Sequence, residues 1–195
     1  MAQDPLNNFP VFVLGGSAGS IDVLLQVTRS LPPGTGSVFI IVLHRKNDKD
    51  SILLEIISNK TNLPVREVED KEPITVNTVF IAPADYHLLV ENEKYFSLDG
   101  SEKIQYSRPS IDVTFESVAE VFRERVTGII LSGANSDGAD GLDKIKKWGG
   151  LTIAQDPATA EVSFMPQQAI NKGVVDKIIP ANDLPSEILK ILQTR

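Results

Sequence analysis

Ser17 lies in a glycine-rich segment whose residue types suit nucleophilic chemistry. Residues 15–19 have the pattern G-x-S-x-G; an apolar run at 11–14 precedes them and apolar residues at helical spacing follow. This order predicts a strand, a tight turn and a helix. Glycines then permit the sharp turn, the serine hydroxyl stands at the sheet edge, and the helix N-terminus offers free N–H donors. The pattern favours a serine nucleophile, and a turn that only lets helix and strand pack closely is the structural alternative.

Two further polar segments follow apolar runs that we interpret as strands. His44 comes directly after the run 38–43, and a loop rich in glycine and short polar residues after the run 127–131 contains Asp137. Because the carboxyl ends of parallel strands meet at one edge of a sheet, both residues are expected beside Ser17. Acyl transfer by serine requires an imidazole that accepts the proton and a carboxylate that orients the imidazole.

Other interpretations of these segments remain. A histidine at a strand end often has only a structural role, and Ser136 or Asp137 could cap the following helix. A calcium loop is disfavoured, because an EF-hand register starting at Asn135 puts Lys146 where a bidentate Glu is needed. Neither phosphate-binding glycine pattern fits residues 15–22. The order Ser, His, Asp also differs from that of α/β-hydrolases, in which the acid lies between Ser and His.

Composition excludes several classes of function. The chain has 195 residues, no cysteine and two histidines, so it forms no disulfide and no thiolate site, and no metal or cofactor is expected. A net charge of −7 without a run of basic residues argues against nucleic-acid binding. The longest apolar run has six residues, and the N-terminus has no signal-peptide pattern. No membrane insertion is predicted, and a cytoplasmic location is expected.

Alternating apolar runs and helical periods predict one α/β domain, a three-layer sandwich with a mostly parallel sheet and an antiparallel hairpin. Residues 1–10 are expected to be an N-terminal tail and residues 11–195 the catalytic domain. The predicted strands are 11–14, 38–43, 64–68, 78–82, 127–131, 151–154 and 174–179, and the hairpin strands are 87–90 and 94–98. The predicted helices are 20–30, 50–58, 111–124, 139–148 and 183–193.

These segments, taken in order, resemble the catalytic domain of the chemotaxis protein-glutamate methylesterases of the CheB type. The resemblance extends from about Val11 to the C-terminus. It rests on Gly15-Gly16-Ser17-Ala18-Gly19, Leu43-His44, residues 63–70, Phe80-Ile81-Ala82-Pro83, Ser107-Arg108-Pro109-Ser110-Ile111-Asp112, Leu131-Ser132-Gly133, Asp137-Gly138-Ala139-Asp140-Gly141 and residues 149–156.

The resemblance implies a role for each candidate residue. Ser17 would be the nucleophile, His44 the general base and Asp137 the acid that orients it, and the backbone N–H groups of Ala18 and Ala134 would form the oxyanion hole. The residues expected to contact the substrate are Arg108, Phe164 and Met165. Arg108 would hold a carboxylate near the site or anchor the start of the helix at 111–124.

The resemblance also implies a substrate. The reaction would be hydrolysis of a glutamate methyl ester on the cytoplasmic helical domain of a methyl-accepting chemotaxis receptor, with release of methanol, and some members of the family also deamidate glutamines. The chain departs from the family pattern at Arg45, Ala134, Asn135 and Phe164. Ten residues before the first strand leave no room for the family's receiver domain, so activity is expected to need no phosphodonor. The alternative is a non-catalytic module that binds a receptor or another partner.

Overall fold

The computed structural model describes residues 9–45 and 52–194, which contain nine strands and six helices. The strands are β1 (Val11–Gly16), β2 (Val38–Leu43), β3 (Val65–Glu67), β4 (Thr78–Ile81), β5 (His87–Asn92), β6 (Tyr95–Asp99), β7 (Val126–Ile130), β8 (Leu151–Gln155) and β9 (Lys177–Ile179). The helices are α1 (Ile21–Ser30), α2 (Ile52–Ser58), α3 (Ile111–Phe122), α4 (Ala139–Lys147), α5 (Phe164–Asn171) and α6 (Leu184–Thr194).

Seven of the strands form one parallel sheet in the order β3-β4-β2-β1-β7-β8-β9. Every residue of β1, β2, β4 and β7 is buried, as is usual for central parallel strands that helices cover on both faces. β1 lies between β2 and β7, so the segments that follow these three strands leave the sheet side by side. The fold therefore brings together the three loops that the sequence singles out.

The alternating side chains of the sheet build two cores. Val11 and Val13 of β1 face the core formed with α3, α4, α5 and the hairpin β5–β6, whereas Phe12 and Leu14 face the core formed with α1, α2 and α6. The hairpin is tied to α3 because Thr114 Oγ1 donates to the carbonyl of Leu88 at 2.9 Å. The predicted three-layer α/β fold with an antiparallel hairpin is confirmed.

The main differences from the predicted elements lie near the C-terminus. The strand predicted at 174–179 is limited to Lys177–Ile179, and the helix α5 has no counterpart in the prediction. Proline is unfavourable within a helix, but Pro166 falls in the first turn of α5, where its missing N–H would have had no partner within the helix. Most of the predicted tail and the first residues of the helix predicted at 50–58 lie outside the described residues.

None of the described helices is long and apolar enough to span a bilayer.

Candidate active site

Ser17 directly follows β1 and is held by backbone contacts on both sides. Its N–H donates to the carbonyl of Ser132 at 2.9 Å, and Ser20 Oγ donates to the carbonyl of Ser17 at 2.6 Å. A Cβ on Gly16 would lie 2.7 Å from Ser20 Cβ, so the turn requires glycine at that position. Gly19 has φ +77°, which also favours glycine. The side chain of Ser17 is partly exposed at the carboxyl edge of the sheet.

His44 follows β2 on the neighbouring strand. Its N–H donates to the carbonyl of Gly16 at 3.2 Å, which extends the parallel pairing of β1 and β2 by one residue and puts His44 beside Ser17. The imidazole Nε2 lies 2.7 Å from Asp137 Oδ2, and 12% of the side chain is exposed. Because Nε2 is occupied by the carboxylate, Nδ1 is the ring nitrogen left to accept a proton. This orientation is the reverse of the serine-protease arrangement, in which Nδ1 faces the acid.

Asp137 is completely buried, and its carboxylate accepts four hydrogen bonds. Oδ1 accepts from Ser110 Oγ at 3.0 Å and from the N–H of Asp112 at 2.9 Å, and Oδ2 accepts from His44 and from the N–H of Ile111 at 2.7 Å. Two of these donors are N–H groups of the first turn of α3, which have no partner within the helix. The N-terminus of α3 therefore fixes the carboxylate that faces the imidazole.

A second buried carboxylate, Asp112, holds the N-terminus of α4. Its Oδ1 accepts from the N–H groups of Gly138 and Gly141 at 2.8 and 2.7 Å, and its Oδ2 accepts from Gln105 Nε2 at 3.1 Å. The helices α3 and α4 thus exchange carboxylates at their N-termini. The interpretation in which Ser136 or Asp137 caps α4 is wrong, because the N-cap residue is Gly138 and the carboxylate comes from α3.

The pKa values of Asp112 and Asp137 are shifted in opposite directions. Burial raises the pKa of Asp112 to about 7, and the nearby charge of Asp137 adds to this effect. Burial acts in the same sense on Asp137, but hydrogen bonds from His44 and from the N–H groups of Asp112 and Ile111 outweigh it, and its pKa lies below the usual range. At neutral pH Asp137 is ionised and can hold an imidazolium ion.

The candidate oxyanion donors lie on two adjoining loops. Ala18 and Ala134 are both exposed, and their N–H groups have no acceptor within the described ranges. Ser132 connects the loops, since its Oγ donates to the carbonyl of Ala18 at 2.7 Å and accepts from the N–H of Val162 at 2.9 Å. Free N–H groups held in this way can stabilise a developing negative charge.

The three candidate substrate residues have different surroundings. Arg108 lines a cavity beside His44, and its Nη1 donates to the carbonyls of Gly100 and Ser101 rather than to the start of α3. Phe164 is 48% exposed at the beginning of α5. Met165 is buried, and a Cβ on Gly133 would lie 2.4 Å from its Cε, so Met165 packs directly against the backbone of the loop that follows β7.

Sequence reasoning missed two residues that build the site. Asp112 has no distinctive signal in the sequence, because an acidic residue in a first helical turn is commonplace and its burial depends on α4. Ser110 precedes a run at helical spacing, so its sequence position predicts the N-cap of α3, which the contact of its Oγ with the N–H of Val113 confirms, but not its bond to Asp137. Neither contact has a signal in local sequence, since each joins residues at least 25 apart.

Comparisons with known proteins show which family this chain belongs to. A family model described as CheB methylesterase matches residues 12–188. A protein-glutamate methylesterase/protein-glutamine glutaminase of Thermotoga maritima is 32% identical over 185 residues, which cover 93% of this chain and 54% of that protein. A protein of Leptospira interrogans, provisionally given the same name, is 40% identical over 186 residues, which cover 95% of this chain and 96% of that protein. The chain thus spans about half of the first relative and nearly all of the second.

A solved structure is similar over the same range. The crystal structure of the catalytic domain of Thermotoga maritima CheB methylesterase matches with a TM-score of 0.89 and 32% sequence identity. The match covers 94% of this chain and 98% of that domain.

Proposed function

The chain belongs to the CheB methylesterase family and is a protein-glutamate methylesterase, and we propose that Ser17, His44 and Asp137 carry out this reaction on a methyl-accepting chemotaxis receptor. The contact of 2.7 Å between His44 Nε2 and the buried Asp137 carboxylate is the observation that supports this most strongly. The proposal assigns the catalytic unit to residues 11–195, preceded by a tail of residues 1–10, and places the reaction in the cytoplasm.

In the proposed mechanism, Ser17 Oγ attacks the carbonyl carbon of the methyl ester while His44 Nδ1 accepts its proton. The negative charge on the carbonyl oxygen is stabilised by the N–H groups of Ala18 and Ala134. Methanol then leaves with the proton from the imidazolium ion. A water molecule, activated by the same nitrogen, hydrolyses the acyl-enzyme and releases the glutamate carboxylate.

The substrate and a second reaction are also part of the proposal. Attack on a glutamine side chain by the same serine would release ammonia in place of methanol, which agrees with the double name of the relatives. Arg108 and Phe164 would contact the receptor segment. Met165 is buried and would affect substrate binding indirectly, because it packs against Gly133 in the loop that follows β7. The receptor would present its ester from a helical cytoplasmic domain.

Methanol release from a methylated receptor tests the catalytic assignment. We expect Ser17→Ala and His44→Ala each to lower the rate on the order of 10⁴-fold or more, and the double variant to be little slower, because the two residues act as a unit. Ser186→Ala, which alters an exposed serine on α6, is the matched control. Independent losses that multiply, or a fast Ser17→Ala variant, would refute the nucleophile assignment. Receptor binding without methanol release by the unaltered chain would favour a non-catalytic module.

A further inference from the structure

A cavity of about 410 Å³ lies beside His44 and has no role in the mechanism above. Its walls carry three cationic side chains, Arg45, Lys103 and Arg108, and one carboxylate, Asp85. We call this cavity the cationic pocket. Its local excess of positive charge contrasts with the net charge of −7 of the whole chain. A pocket of this sign concentrates negatively charged groups at the edge of the active site.

Arg108 is anchored in a way that leaves its carboxylate-binding edge unused. Nη1 donates to the carbonyls of Gly100 and Ser101 at 2.8 and 2.6 Å. Nε is buried without a hydrogen-bond acceptor, and Nη2 donates to no group within the described residues. Nε and Nη2 form the side of the guanidinium that binds a carboxylate through two parallel hydrogen bonds.

Arg45 and Lys103 contribute different amounts of positive charge to the cationic pocket. Arg45 Nη2 donates to Glu67 at 2.6 Å, so part of its charge is neutralised, but its Nε is also buried without an acceptor. Lys103 is exposed and forms no ion pair with any residue that the structure describes. Within the described residues, three buried side-chain nitrogen or oxygen atoms have no hydrogen-bond partner, and two of them belong to arginines of this pocket. A buried donor without an acceptor is costly, so these two arginine N–H groups favour the binding of an anionic group.

We infer that the cationic pocket binds an acidic side chain of the protein substrate next to the methyl ester, with Arg108 as its carboxylate partner. This inference rests on the proposed function. The ester itself is uncharged, and the oxyanion that it forms is served by the N–H groups of Ala18 and Ala134, so neither needs three cations. An acidic receptor segment would be repelled by the chain as a whole. The pocket supplies the local attraction that such a segment requires.

Two peptides that differ by one charge test the inference. Each peptide carries a single γ-methyl glutamate, and one residue next to it is Asp in one peptide and Asn in the other. We expect kcat/KM to be at least about tenfold higher for the Asp peptide, which corresponds to about 1.4 kcal/mol. Arg108→Gln should abolish this preference by lowering the rate on the Asp peptide much more than the rate on the Asn peptide, and the melting temperature of the variant shows whether it is folded. Lys103→Gln should weaken the preference, and the preference should fall with added salt.

Arg29→Gln is the matched control, because it removes the same charge from the last turn of α1, at the opposite end of that helix from Ser17. Equal rates on the two peptides, a preference that survives Arg108→Gln, or an equal loss on both peptides in that variant would overturn the inference.

Binding separates this inference from the catalytic proposal. The affinity of both peptides for Ser17→Ala, with and without Arg108→Gln, can be measured by fluorescence anisotropy. Tighter binding of the Asp peptide that disappears with Arg108→Gln supports the pocket even if neither peptide is hydrolysed by the unaltered chain. Equal affinities overturn the pocket even if both peptides are hydrolysed.

Discussion

The N-termini of α3 and α4 hold buried carboxylates in the same way, yet only one of these carboxylates faces an imidazole. Asp137 accepts N–H groups from the first turn of α3, and Asp112 accepts N–H groups at the start of α4. His44 donates to Asp137 alone. A carboxylate at a helix N-terminus therefore has a structural role at both positions. Asp137 has an additional role in the proposed reaction because it contacts the imidazole of His44.

The same comparison explains why the two groups differ in charge. Two adjacent buried carboxylates repel each other, and the charge settles on the group with the better donors. Asp137 has four hydrogen-bond donors, including the histidine, and its pKa is lowered, whereas burial and the neighbouring charge raise the pKa of Asp112 to about 7. The helix exchange thus produces one permanent anion at the site and one group that can carry a proton near neutral pH.

Among the changes that test this comparison, Asp137→Asn should cause the largest loss in rate. An amide at this position would donate to His44 Nε2 and stabilise the tautomer that has its proton on Nδ1, where Ser17 needs a base. We expect a loss in kcat on the order of 10⁴-fold, as for the corresponding change in a serine protease. The fold should persist with a lowered melting temperature, because the amide also faces a backbone N–H of α3. A nearly normal rate with a lowered melting temperature would show that Asp137 serves only to hold the N-terminus of α3.

Asp112→Asn should affect stability rather than rate. The folded-state pKa of about 7 lies above the unfolded value of 3.8, so wild-type Asp112 contributes stability that is complete below about pH 4 and is lost as pH rises through about 7. An amide can keep the contacts to Gly138 and Gly141 without acquiring charge. Relative to wild type, the variant should gain on the order of a few kcal/mol in free energy of unfolding between pH 4 and pH 8.

Denaturant unfolding at both pH values, with methanol release at pH 7.5, measures these effects. The rate of methanol release should stay within a fewfold of wild type. A pH-independent difference in unfolding free energy would show that Asp112 is ionised throughout this pH range. A rate loss as large as that of Asp137→Asn would show that both carboxylates, and not Asp137 alone, take part in the reaction.

The sequence predicted the parts of this comparison that depend on strand order and failed on those that depend on helix contacts. Ser17, His44 and Asp137 each follow a central apolar strand, so their common edge could be inferred from local patterns alone. The exchange of Asp112 and Asp137 could not, because it depends on how closely α3 approaches α4. The cationic pocket was hidden in part, because Arg108 was expected near the site, but its approach to Arg45 joins the segment between β6 and α3 to the segment that follows β2.

Gly141→Ala tests the closeness of the two helices. A Cβ on Gly141 would lie 2.5 Å from Phe115 Cβ and 3.1 Å from Asp112 Cα, so α4 would have to move away from α3. We expect a loss of about 1–3 kcal/mol in the free energy of unfolding and a weaker contact of Asp112 with α4. Gly100→Ala is the control, because the nearest atom to a Cβ there is 3.8 Å away. Equal melting temperatures for the two variants would contradict a close helix contact.

Ser110→Ala should give the smallest effect, and its pH dependence identifies the cause. The variant removes one of the four donors to Asp137, which costs about 1 kcal/mol and slows methanol release by a fewfold. The folded-state pKa of Asp137 lies below its usual value of 3.8, so the stability that its donors provide is present above that pH and is lost as pH falls through the folded-state pKa. The difference between the variant and wild type should therefore shrink in acid to a part that does not depend on pH, which comes from the lost contact between Ser110 Oγ and the N–H of Val113. Ser117→Ala, in the same helix, removes bonds to Val90 and Thr114, neither of which titrates. Its effect on the free energy of unfolding should stay constant with pH, and a constant difference for Ser110→Ala as well would show that the hydroxyl does not act through Asp137.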